Sequence, residues 1–191
     1  RRIFTGGGYL IGGAMVVIVA AVIQTAAAGI DLPQFGSEWV GVEVGQFEAP
    51  IALVAQPGTD EMLLAERAGR IRTIAVSDDG SFLHGPQVLD ISDRVGTEGE
   101  SGLTSLDFSL AGDELYVSYT DTDSQSRIVA YRMESGKPVT AASRLLLTIN
   151  QPGPNHNVNQ ILTDRFGRLL ISVGDGYVNE HGQDPSTLHG T

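Results

Sequence analysis

Met62-Leu63-Leu64-Ala65-Glu66, then Arg67-Ala68-Gly69, then Arg70-Ile71-Arg72-Thr73-Ile74-Ala75-Val76: this stretch decides the fold. Its first run is too short for a helix and stops at a turn signal. Its second run alternates with period two up to Asp78-Asp79-Gly80. An apolar run, a turn and an alternating run read as two adjacent strands. The pattern continues outwards on both sides. Ile51-Ala52-Leu53-Val54-Ala55 ends at Gln56-Pro57-Gly58, and Leu115–Tyr119 with Arg127–Tyr131 forms another plausible pair. Leu169-Leu170-Ile171-Ser172-Val173 ends at Gly174-Asp175-Gly176. From Gly36 onward no segment carries helical periodicity, so the expected fold class is all-β.

The strand pairs recur. An apolar strand, a polar turn and a second apolar strand occupy Ile51–Glu66, Leu103–Thr120 and Val158–Asp175, and Met62, Leu115 and Leu169 lie 53 and 54 residues apart. Spacing of about 50 residues is the mark of one four-stranded propeller blade per repeat. Three blades cannot close a ring, because each blade buries its faces against two neighbours. Residues 47–191 are therefore expected to form part of a larger β-propeller, with about three blades present. Residues 31–46 are expected to be a linker and first strand.

Composition narrows the partners. The 191 residues carry a net charge of −11 and a pI near 4.6, with 41% apolar and 18% charged residues. That is ordinary globular composition. No basic surface offsets a phosphate field, so nucleic acid and anionic lipid are excluded as partners. There is no cysteine, which excludes disulfides and thiolate chemistry.

The first residues read as a targeting segment. Arg1-Arg2 precede an uncharged stretch, Tyr9 to Ala28, whose centre from Ala14 to Ile23 is continuously apolar, with small residues at Ala26-Ala27-Ala28. A basic start, an apolar middle and a small-residue end are the parts of a signal peptide. Arg1-Arg2-Ile3-Phe4 also fits the core of a twin-arginine signal. About 20 apolar residues would equally span a bilayer as an anchor. Residues 1–30 are thus expected to be a signal peptide or membrane anchor forming an N-terminal hydrophobic helix, with 9–28 available for membrane attachment. The rest should be extracytoplasmic: periplasmic, secreted or membrane-anchored.

Four stretches, in order, resemble the glucose/sorbosone dehydrogenase family, the soluble aldose sugar dehydrogenases. Leu64-Ala65-Glu66-Arg67-Ala68-Gly69-Arg70-Ile71 looks like the first-blade signature. Asp90-Ile91-Ser92-Asp93-Arg94-Val95, followed by Gly99-Glu100-Ser101-Gly102-Leu103, looks like the second-blade entry. Leu115–Thr120 resembles its outward strand. Pro154-Asn155-His156-Asn157, with Gly167 and Gly174-Asp175-Gly176, looks like the active-site strand pair. The resemblance covers roughly Phe47 to the C-terminus. It implies a six-bladed propeller of which the N-terminal half is in hand.

By that resemblance the full-length protein is an exported quinoprotein oxidoreductase acting on CH–OH. It would oxidise an aldose hydroxyl by base-assisted hydride transfer to pyrroloquinoline quinone, with calcium, and the piece in hand would be inactive alone. The cofactor ligands would lie mostly in the other half, the substrate would be a sugar, and the electron acceptor is not specified. The resemblance makes His156 the base, a role that suits an imidazole whose pKa lies near neutrality. Asp175 would orient it and stabilise the imidazolium. Glu100, Asn155 and Asn157 fall beside the quinone or substrate, and no metal ligand is assigned.

Read without the family, the same residues admit plainer roles. His156 reads as a hydrogen-bonded loop histidine, Asp175 as a turn aspartate, and Glu100 and Asn155 as turn or rim residues. Two departures bear on the choice. After Asn157 the family has two glycines and a glutamine, whereas this chain has Val158-Asn159-Gln160. The family's Gly-Leu-Leu-Gly is replaced by Gly102-Leu103-Thr104-Ser105. Glycine admits close backbone approach to a ligand, so these departures suit an alternative: a non-catalytic extracytoplasmic propeller that binds a carbohydrate or protein. Gly6-Gly7-Gly8 lacks the Lys and Ser/Thr of a phosphate loop, and Glu180, His181 and Asp184 read as a solvated loop.

Overall fold

The computed structural model describes residues 45–77 and 80–190, together with the backbone of three short strands, β1 (Arg2–Phe4), β2 (Met15–Val17) and β3 (Val40–Gly41), which pair in parallel. The expected targeting segment and its hydrophobic helix otherwise lie outside the described residues. Within that segment, Met15–Val17 is extended. Among the described residues no helix is long and apolar enough to cross a membrane.

Ten further strands follow in chain order. The first sheet holds β4 (Pro50–Ala55), β5 (Glu61–Glu66), β6 (Arg70–Val76) and β7 (Phe82–Asp90). The second holds β8 (Leu103–Phe108), β9 (Glu114–Thr120), β10 (Gln125–Glu134) and β11 (Lys137–Asn150). β12 (Val158–Thr163) and β13 (Leu169–Val173) form an antiparallel pair. In each sheet successive strands are antiparallel neighbours, the meander of a propeller blade. The strand pairs expected at 51–66, 103–120 and 158–175 are the first two strands of each unit. The repeat count needs refining: two sheets have four strands and the third unit has two. The only helical element among the described residues is a 3-10 turn, Asn179–Gln183.

The apolar run of β5 is explained by burial on both faces. Leu63 and Ala65 point to one side, where Ile71, Leu89 and Ile91 join Leu103, Leu106, Leu115, Val117 and Tyr131 of the second sheet. Met62 and Leu64 point to the other side, against Ile74, Phe47 and Leu53. A strand covered on both faces reads as a continuous apolar run. Leu63, Ile71, Leu115 and Val117 have no exposed surface, and each such side chain contributes about 1.5–3 kcal/mol through burial. The main core therefore lies between the two blades and locks their orientation.

The third unit is tied on differently. Its strand β12 lies beside β8, and its backbone amides are met by side chains from β8. Ile161 N donates to Ser105 Oγ at 3.3 Å and Thr163 N donates to Asp107 Oδ2 at 2.6 Å. Two alternate residues of β12 thus find acceptors on the neighbouring blade, in keeping with strand pleating. Both departures from the family pattern acquire a structural role here. Ser105 supplies one of these acceptors, and Thr104 Oγ1 lies 2.6 Å from Ser118 Oγ in a hydroxyl–hydroxyl bond. Val158 is buried with Ile149 and Val173.

Candidate functional site

The loop ahead of β12 and the turn after β13 converge because the two strands form one antiparallel pair. Val158 opposes Val173, so His156 and Asp175, just beyond the paired ends, fall side by side. His156 Nδ1 and Asp175 Oδ1 are 2.7 Å apart. Backbone bonds close the corner: Gly174 N donates to Asn157 O at 3.2 Å and Gly176 N to His156 O at 3.1 Å. Gly174 is obligatory, since a Cβ there would stand 2.2 Å from His156 O.

His156 sits at φ +58° and Tyr177 at φ +69°, left-handed conformations that cost a non-glycine residue about 1–3 kcal/mol. Both are held by carboxylates. His156 N donates to Glu100 Oε2 at 2.8 Å, and Tyr177 N donates to Asp175 Oδ1 at 2.9 Å. Glu100 is fixed in turn, its N donating to Asn155 Oδ1 at 3.1 Å. The Tyr177 ring stands edge-on to the imidazole, with centroids 5.3 Å apart, and is largely exposed.

Electrostatics sets the tautomer. The imidazole hydrogen bond, followed by the Tyr177 amide, holds the Asp175 carboxyl below the usual carboxylate range. It is therefore ionised near neutrality and can only accept. His156 Nδ1 must therefore be the donor, a tautomer in which an uncharged imidazole carries its lone pair on Nε2. Among the described residues none hydrogen-bonds Nε2, and the His156 side chain is 46% exposed. The arrangement offers solvent a base whose far nitrogen is backed by a carboxylate.

Four of the five residues singled out from sequence meet in this cluster: His156, Asp175, Glu100 and Asn155. Asn157 turns away from it. Its amide is buried and donates to Thr120 Oγ1 at 3.4 Å and Pro154 O at 3.3 Å, while its Oδ1 has no partner. Tyr177 was not foreseen from sequence, because its place depends on the left-handed backbone after Gly176. Val158 does not crowd the cluster, as its side chain fills the core with Ile149 and Val173. No group of three or more His, Cys, Asp or Glu among the described residues is arranged to hold a metal ion.

The glucose/sorbosone dehydrogenase family model matches residues 47–191. A Thermus thermophilus protein described as an oxidoreductase (glucose dehydrogenase) is 28% identical, with a TM-score of 0.63 over 77% of this chain and 44% of that one. The PQQ-bound aldose sugar dehydrogenase of Streptomyces coelicolor is 22% identical, with a TM-score of 0.63 over 75% of this chain and 43% of its own. The soluble aldose sugar dehydrogenase of Escherichia coli, in its apo form, is 19% identical, with a TM-score of 0.54 over 75% and 42%. No curated protein sequence matches significantly. The chain spans less than half the length of these solved relatives. With the family model matched over three quarters of its length, the chain belongs to the glucose/sorbosone dehydrogenase family.

Proposed function

We propose that the full-length protein is an exported, six-bladed quinoprotein dehydrogenase that oxidises a hydroxyl of an aldose. The observation that carries this reading is the 2.7 Å contact of His156 Nδ1 with an ionised Asp175, which leaves Nε2 open as a base. Nε2 takes the proton of the sugar hydroxyl. Asp175 stabilises the imidazolium that results, and Glu100 holds the His156 backbone so that the ring faces outwards. Pyrroloquinoline quinone, when bound, supplies the hydride acceptor.

The residues present fit the reacting side of such a group. Beside the base stand Glu100 and the Asn155 amide, whose nitrogen is suited to a carbonyl or hydroxyl oxygen. The carboxylates of the quinone call for cationic clamps. Arg67 approaches the cluster, but its Nε and Nη2 are committed to backbone carbonyls. The clamps and the calcium ligands are assigned to the part of the protein that the relatives have beyond this span. Export rests on the apolar stretch after Arg1-Arg2, so residues 1–30 are read as the targeting segment.

The test uses full-length protein without that segment, loaded with pyrroloquinoline quinone and calcium, in a dye-reduction assay against a panel of aldoses. Cofactor-dependent reduction that collapses in His156→Ala supports the assignment. A well-folded protein that fails to bind the quinone would overturn it and leave a propeller that binds ligands without catalysis.

A further inference from the structure

Arg67 lies in the turn between β5 and β6, on the first blade, yet its side chain engages the loop that opens the second. Its Nε donates to Ser101 O at 2.8 Å, and its Nη2 donates to Thr97 O at 2.9 Å and also to Gly99 O. Its own carbonyl accepts from Leu103 N at 2.8 Å. Among the described residues no carboxylate pairs with it. The stem is tightly seated, since a Cβ on Gly102 would fall 2.5 Å from Arg67 Cγ. The planar guanidinium suits this role, because Nε and Nη2 present donors to the three carbonyls from a fixed fork, whereas an ammonium is a point charge on a flexible stem.

The loop so held carries Glu100, which meets the third unit at two points. Glu100 N donates to Asn155 Oδ1, and His156 N donates to Glu100 Oε2. A left-handed histidine persists only where its surroundings over-determine it, and this carboxylate is one of the groups that does so. Arg67, the loop 97–101, Glu100 and His156 are thus a chain of contacts running across three blades to the imidazole.

We propose that Arg67 is a positioning residue for the site, setting the placement of Glu100 and, through it, the backbone of His156. This deepens the reading of His156 as the functional group, but its test does not depend on turnover. In full-length protein, amide hydrogen exchange would be followed by NMR at Glu100 and His156, with Val117 and Ile128 as core controls. Arg67→Ala is expected to speed exchange at both site amides about tenfold or more, the loss of a hydrogen bond to a charged group, with the controls unchanged. Arg67→Lys should give the same loss at unchanged charge. Glu100→Ala should expose the His156 amide, and adding Arg67→Ala should expose it no further, as expected for residues acting in series.

Acceleration confined to 97–101, with His156 still protected, would overturn the proposal. So would full rescue by lysine, or uniform acceleration that includes Val117 and makes Arg67 a strut of the fold. Dye reduction measured on the same variants separates the two readings. A protein that reduces no dye but loses His156 protection in Arg67→Ala retains the positioning role and loses the dehydrogenase assignment.

Discussion

Replacing Asp175 by asparagine tests the base more sharply than removing it. Asp175 Oδ1 accepts two bonds, from His156 Nδ1 at 2.7 Å and from Tyr177 N at 2.9 Å. An asparagine could flip and present its NH2 to the imidazole, which would force the proton onto Nε2 and abolish the base. The Tyr177 amide opposes that flip, because it too needs an oxygen at this position. The amide oxygen therefore stays, the tautomer is kept, and only the negative charge that stabilises the imidazolium is lost. General acid–base catalysis contributes about 10²–10⁴-fold, and loss of the charge alone should fall at the lower end. The expected loss in kcat/KM is about 10²-fold for Asp175→Asn. For Asp175→Ala, which frees both the ring and the Tyr177 backbone, about 10³–10⁴-fold is expected. The assay is dye reduction by the quinone- and calcium-loaded full-length protein at saturating dye, with the Tm of each variant as a folding control. Equal losses in the two variants would refute the argument that Tyr177 locks the tautomer. No loss in either would refute the role of the pair.

Three further outcomes concern the scaffold. Burial pushes the Tyr131 phenol up to about 12, with nearby Arg94 offsetting only part of the effect. The unfolded chain then ionises first, so stability should fall as pH rises above about 10. Chemical denaturation should show wild type losing about 1.5 kcal/mol relative to Tyr131→Phe between about pH 10 and 11.5, and a flat difference would place the hydroxyl in water. Asp107 accepts from Thr163 N across the blade boundary and from Phe108 N within its own strand. Asp107→Ala should cost about 1.5–3 kcal/mol in urea unfolding, and an unchanged midpoint would mean β12 is held by other contacts. Val158→Gly, which restores the family's glycine, should destabilise by about 3 kcal/mol by emptying the space beside Ile149 and Val173. A more stable variant would refute its role in the core.

The inner strands were legible because their signals are local. Met62–Glu66 and Leu115–Tyr119 are largely buried and carry apolar runs, while the turn residues that end them need no partner to act. The outer strands were not. Phe82–Asp90 contains Gly85 and Pro86, and Lys137–Asn150 is exposed along much of its length and paired through two register shifts. Such strands exist because a neighbour offers hydrogen bonds, a condition absent from their own sequence. The same division holds at the site. His156, Asp175, Glu100 and Asn155 stood out through short motifs, yet nothing in those motifs turns Asn157 inwards or Val158 into the core.

By itself, then, the sequence determined the all-β class, the blade spacing and the residue types able to do proton chemistry, since periodicity, turn residues and side-chain acidity are properties of short segments. Tertiary structure alone decided which nitrogen of His156 is free, that Tyr177 stands beside it, and that Arg67 reaches loop 97–101. Each of those depends on groups that backbone geometry brings within hydrogen-bond range, and a hydrogen bond acts only over about 3 Å.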